Sequence, residues 1–115
     1  IIDVINGDWL TQGPAVNKFE KDLSIYFGSN YACALSSGTA ALHLSGLALK
    51  WGENDIVITS PITFLATANS IIYSNADPYF IDINPEDYTI DPNILEDKIK
   101  FLVKNKKKNK SGNRY

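Results

Sequence analysis

Two short segments carry residue types and spacings that could do chemistry. The first is Ser36-Ser37-Gly38-Thr39-Ala40-Ala41, which follows an apolar run and opens an alanine- and leucine-rich stretch. A strand-to-helix turn there leaves the first helical N–H groups without partners, at the positive end of the helix dipole. Gly38 permits a tight turn and close backbone approach, and Ser37 and Thr39 add hydroxyl donors, so the pattern suits a phosphate. The same residue types also make ordinary helix caps. Both readings stand at this level. The segment is not a dinucleotide fingerprint, because GxGxxG is absent, and no Gly-Lys-Ser/Thr follows to make it a P-loop.

The second segment is Ser60-Pro61-Ile62-Thr63-Phe64-Leu65-Ala66-Thr67-Ala68-Asn69. Phe64 falls just past a predicted strand end, where an aromatic ring could stack on a planar cofactor or simply join the core. Thr63, Thr67 and Asn69 are polar positions in an otherwise apolar helix, facing ligand or solvent. The remaining candidates carry weaker patterns. His43, the single histidine, sits mid-helix with no cysteine or carboxylate at ligand spacing, so no metal site is expected. Cys33 lies within an apolar run and reads as a packing residue. Asp82, near a strand end, suits a functional role or a cap equally. Asp3, Asp8 and the acids of 86–97 read as surface and capping groups.

These segments need a scaffold, and the apolar spacing supplies one. Residues 1–5 read as a helix end stopped by Asn6-Gly7. Gly13-Pro14 opens a second helix, with Val16, Phe19, Leu23 and Tyr26 as one buried stripe and Gly28 as its stop. Tyr31–Leu35 reads as a strand. Ala40 to Lys50 reads as a helix with Leu44, Leu47 and Ala48 on one face, closed by Gly52. Ile56–Thr59 is a β-branched strand, Phe64 to Tyr73 a helix with Leu65, Ala68 and Ile72 on its stripe, and Tyr79–Ile83 a third strand. Asp91-Pro92 caps a last helix that runs through Lys100 or slightly beyond. Strands separated by helices need crossover connections and therefore pair in parallel. The predicted class is α/β, a mostly parallel sheet with flanking helices. In such sheets ligands bind beyond the carboxyl ends of the strands, where both segments fall.

The 115 residues are 44% hydrophobic and 21% charged, the composition of a single folded domain and not of a disordered chain. No apolar run is long enough for a transmembrane helix, and the N-terminus lacks a signal-peptide pattern, so a cytoplasmic location is expected. One cysteine cannot form an internal disulfide. Residues 1–97 hold all 13 acids and only three of the 11 basic residues; the other eight lie in 98–115. A basic tail on an acidic body reads as a solvated helix end and loop over 101–115, or as a nucleic-acid arm. The tail's one aromatic, Tyr115, offers no base-stacking pattern, so no nucleic acid is expected as a partner. The chain contains no methionine, even at position 1, and three strands make a narrow sheet beside the usual five or so. Both features predict one partial domain of a longer protein.

The run SSGTAALHLSGLAL, followed by DIVITSPITFLATANSIIYSNADPYFIDINPEDYTIDP and preceded by DWLTQGPAVNKFEKDL, resembles the DegT/DnrJ/StrS nucleotide-sugar aminotransferases. The likeness extends to about Lys100. With SPITFLATAN it is most similar to members of the pseudaminic-acid pathway that aminate a UDP-linked 4-keto-6-deoxy sugar. The resemblance implies the N-terminal part of the large domain of the aspartate-aminotransferase fold (fold type I). It also implies pyridoxal 5′-phosphate as cofactor, glutamate as amino donor, a homodimer, and no membrane partner. By the same resemblance Gly38, Thr39 and Ala40 hold the cofactor phosphate and Phe64 stacks on its pyridine ring. Thr11 and Gly13, in TQGP, lie in a segment similar to one on the sugar-binding side. Where the family has Asp-Ile-Asp, this chain has Asp82-Ile83-Asn84. The family's Schiff-base lysine and the aspartate paired with the pyridine nitrogen lie farther along than these residues reach. No catalytic residue is therefore expected within the chain, which alone should be inactive. A sugar dehydratase of the same fold and a non-catalytic α/β interaction module are the competing expectations.

Overall fold

The computed structural model describes residues 1–109. The chain divides into two units, Ile1–Ser36 and a second that begins at Ser37. The first unit holds α1 (Ile2–Ile5) and α2 (Pro14–Phe27). Pro14 occupies the first turn of α2, where a missing N–H leaves no gap in the helix ladder. Gly28 ends it at φ +64°, with its own N–H on the Ile25 carbonyl (3.2 Å) and that of Ser29 on the Ser24 carbonyl (2.9 Å). That paired arrangement needs a left-handed residue, which glycine adopts without strain.

The predicted strand Tyr31–Leu35 is absent. No strand pairs with it among the described residues, and the Ala34 N–H instead donates to the Glu20 carboxylate (2.8 Å). A strand requires a neighbour, and strand propensity supplies none. Cys33, expected inside that strand, is exposed. The predicted stripe on α2 is likewise not buried: Tyr26 is 81% exposed, Phe19 is exposed, and Leu23 is half-buried.

The second unit follows the order α3 (Gly38–Ala48), β1 (Ile56–Thr59), α4 (Leu65–Tyr73), β2 (Asp77–Phe80), α5 (Pro92–Asn109). β1 and β2 pair in parallel, with Ile56 opposite Asp77 and Thr59 opposite Phe80. The ladder is extended by Asp77 N–H to the Asp55 carbonyl and by Ile81 N–H to the Thr59 carbonyl, both 2.9 Å. Pro78 falls between them, in the register whose N–H would point away from β1, so proline removes no bond from this pairing. The connection through α4 is what makes the pair parallel.

The core is small. Ala66 and Ile71 of α4, Ala76, and Ile81 after β2 are its buried apolar residues. The buried side of α4 is therefore Ala66, Ser70 and Ile71, not the predicted Leu65, Ala68 and Ile72, of which Leu65 and Ile72 are exposed. On α3 the buried residue is Gly46, while Leu44 and Leu47 are exposed. Stripes read from spacing say which residues could share a face, and burial depends on what packs there. Ser70 and Ser74 are buried but satisfied, their hydroxyls donating to the Thr67 and Ser70 carbonyls at 2.8 and 2.9 Å.

The third predicted strand begins and ends earlier, as β2. Past it, Ile83 makes a single antiparallel bridge with Ile90. Asp91 caps α5 as predicted, its Oδ1 accepting from Asn93 N–H (2.8 Å) and Ile94 N–H (3.3 Å). The helix continues to Asn109, farther than its sequence reading, and the rest of the basic tail, 110–115, lies outside the described residues. No helix among the described residues is long and apolar enough to cross a membrane.

Candidate functional site

α3 starts at Gly38 because Ser37 is extended (φ −161°, ψ 160°) and its hydroxyl oxygen accepts the Ala40 N–H at 3.1 Å. The Ser37 carbonyl takes the Ala41 N–H at 3.1 Å. The N–H groups of Gly38 and Thr39, and the Thr39 hydroxyl, have no hydrogen-bond partner among the described residues. The cap thus satisfies one orphan donor and leaves two.

Gly38 does not take up a left-handed conformation, so a tight turn is not what requires it. A Cβ built on it would meet nothing within 4 Å. The space beside its Cα is open, which permits close approach to the backbone there. Thr39 and Ala40 are half-buried on the same turn. Neither α3 nor α4 contains an Asp, Glu, Lys or Arg, so an anion here would be held by N–H groups, hydroxyls and the helix dipole.

α4 starts differently. Phe64 is its N-cap residue and makes no side-chain capping bond; the ring is 78% exposed. Before it, Ser60 Oγ accepts the Ile62 N–H (3.1 Å), which turns the chain at the carboxyl end of β1. The Thr63 and Thr67 hydroxyls lie 3.0 Å apart and bond to each other across one helical turn. An exposed aromatic at a strand end, with its neighbouring hydroxyls already paired, presents a flat face suited to stacking on a planar ring.

Thr11 and Gly13 belong to the first unit. Thr11 is exposed, and Gly13 is the N-cap of α2. A Cβ on Gly13 would lie 2.6 Å from Trp9 Cβ, so that glycine is required by packing. Asp82 has its carboxylate on the Ile83 N–H (2.8 Å), and Asn84 Oδ1 accepts the Glu86 N–H (3.0 Å). Asn84 therefore builds a turn. Asp87 is held below the ordinary carboxylate range by the backbone N–H and hydroxyl of Thr89, at 2.9 and 2.8 Å. The Nε2 of His43 is buried without a partner among the described residues. Spacing alone gives no sign of it.

Residues 1–105 match the DegT/DnrJ/EryC1/StrS aminotransferase family. The UDP-4-amino-4,6-dideoxy-N-acetyl-beta-L-altrosamine transaminase of Campylobacter jejuni is 48% identical over 87 residues, which are 76% of this chain and 23% of that protein. Helicobacter pylori PseC, an aminotransferase involved in the biosynthesis of pseudoaminic acid, matches in structure with a TM-score of 0.75 at 35% identity. That match covers 84% of this chain and 26% of PseC. NtdA of Bacillus subtilis, solved with bound cofactor PMP, matches with a TM-score of 0.71 at 41% identity, over 76% of this chain and 20% of that one. The chain spans about a quarter of the length of the curated relatives it matches.

Proposed function

The chain belongs to the DegT/DnrJ/EryC1/StrS aminotransferase family, and we propose that it is the cofactor-phosphate part of a nucleotide-sugar aminotransferase. The observation that carries this reading is the pair of unpartnered N–H groups of Gly38 and Thr39 at an acid-free helix start, with open space beside the Cα of Gly38. That donor set fits a phosphate, and the exposed ring of Phe64 fits a pyridine face. NtdA, a relative in fold and sequence, binds PMP, the amino form of pyridoxal phosphate, which supports pyridoxal 5′-phosphate as the cofactor here.

In this reading Gly38 and Thr39 donate to the phosphate and thereby set the position of the ring, while Ala40, whose N–H is held by Ser37 Oγ, lines the same turn without donating. Phe64 orients the ring by stacking and excludes water from one face. Thr11 and Gly13 contribute to the sugar side. When bound, the cofactor supplies the electron sink needed to move an amino group from glutamate to a sugar ketone. The residues named here position it and transfer no proton, and the lysine and aspartate of the chemistry come from outside this chain. The chain is one partial domain, the N-terminal part of the cofactor-binding large domain, of a cytoplasmic homodimer. The Campylobacter relative supports a UDP-linked 4-keto-6-deoxy sugar as acceptor.

The test is an assay of the whole protein, at its relatives' length, with glutamate and a UDP-4-keto-6-deoxy sugar. Glutamate-dependent formation of the amino sugar, with equal release of 2-oxoglutarate, is the expected result. Water loss from the sugar with no nitrogen transfer would assign a dehydratase instead.

A further inference from the structure

α5, Pro92–Asn109, changes charge along its length. Glu96 and Asp97 are its acids, and from Lys98 to its end it carries six lysines and no further acid. Leu95 and Leu102, two turns apart, are half-buried and mark the side that faces the rest of the chain. Lys100 and Lys104 are exposed, with Lys100 Nζ on the Glu96 carboxylate at 2.6 Å. Positions 100, 104, 107 and 108 follow the i, i+4, i+7, i+8 spacing of one helix side, opposite the two leucines. Phe101 and Val103 border that side and are 58% and 51% exposed.

The helix dipole favours cations at a C-terminus, but only within the last turn, so it accounts for positions 106–108 and not for Lys98, Lys100 and Lys104. Clusters of about four to eight basic residues on an amphipathic helix suit anionic lipid headgroups. Exposed apolar side chains beside them suit the headgroup boundary, which takes up charge and apolar surface together. A nucleic-acid backbone would use the charges alone, and α5 offers it no arginine and a single aromatic. We propose that the lysine side of α5 docks on an anionic membrane surface, its lysines at the headgroups and Phe101 and Val103 entering the interface. Because this side lies opposite Leu95 and Leu102, further chain packed on the leucines leaves it open. The contact is peripheral. It departs from the expectation of no membrane partner that the family resemblance sets, and it is independent of the cofactor reading of α3.

The experiment sediments the whole protein with vesicles of phosphatidylcholine alone and of phosphatidylcholine mixed with phosphatidylglycerol. Each is run at low salt and at about 0.5 M salt, where surface charges are screened, and poly(U) is titrated in parallel as a second polyanion. Wild type should bind the phosphatidylglycerol vesicles and not the neutral ones, and should release at high salt. The triple variant Lys104→Gln, Lys107→Gln, Lys108→Gln should bind about a hundredfold more weakly, and Phe101→Ser about tenfold more weakly, with helix content by circular dichroism unchanged. A wild-type protein that ignores the anionic vesicles, or binds neutral ones equally well, overturns the inference, and these arms depend on no substitution. A folded lysine or Phe101→Ser variant that binds like wild type also overturns it. So does tighter binding to poly(U) than to the vesicles, which would assign the lysines to nucleic acid.

Discussion

Two segments of the second unit lie at helix starts: Ser37–Ala40 opens α3 and Asn84–Asp91 leads into α5. They differ in what remains free. In Asn84–Asp91 the side chains close on the segment's own backbone or that of the helix it starts. Asn84 takes the Glu86 N–H, Asp87 takes the Thr89 N–H and hydroxyl, and Asp91 takes the first donors of α5. In Ser37–Ala40 the serine takes one N–H and leaves those of Gly38 and Thr39 open, with no acid on the helix. A Ser/Thr/Asp/Asn-rich helix start is thus not a site by composition. A helix start that consumes its donors is a cap; one that leaves them free, without a carboxylate nearby, can hold an anion.

Substitutions in the two segments should therefore separate binding from stability. Thr39→Ala removes a hydroxyl contact to a charged group, worth about 1.5–3 kcal/mol, and should weaken pyridoxal phosphate binding by about ten- to a hundredfold. Unfolding in urea should be little changed, because that hydroxyl bonds nothing among the described residues. Asp91→Ala reverses the pattern. Loss of the α5 cap should cost about 1 kcal/mol of stability in urea unfolding and leave cofactor absorbance titrations unaltered. Phe64→Ala should weaken cofactor binding through lost stacking, about 0.5–1.5 kcal/mol, with a small stability change because the ring is exposed.

Smaller effects sharpen the contrast. Gly38→Ala meets no neighbour and needs no unusual backbone, so thermal stability should hold or rise by up to about 1 kcal/mol. Phosphate affinity should fall nonetheless, because the methyl occupies the approach. Asp87 provides the pH dependence. Its folded-state value lies below the ordinary 3.8, so its bonds to Thr89 support the fold above that value and are lost as pH falls through the lower, folded one. Asp87→Asn should flatten the acid limb of thermal melting between about pH 5 and about pH 2, leaving the neutral region near wild type.

Much of this arrangement is legible in the residues themselves, for local reasons. Pro14 and Gly28 bound α2 as read, the β-branched run Ile56–Thr59 is β1 residue for residue, and Asp91 is a cap. Each of these features is decided within a few residues. Tyr31–Leu35 and the buried stripes were misread because they depend on partners that spacing does not specify. The residues Ser37–Ala40 are legible in sequence only as a choice between cap and anion site. In the structure Ser37 caps one donor, the Ala40 N–H.

The most direct measurement is a titration of the whole protein with pyridoxal phosphate, followed by the amide NMR signals of Gly38, Thr39, Thr89 and Asn93. The free donors of α3 should shift progressively with pyridoxal phosphate and not with pyridoxal, while Thr89 and Asn93, already bonded within their own segment, stay in place. Shifts of all four together, or none at Gly38 and Thr39, would contradict the assignment and return that helix start to a simple cap.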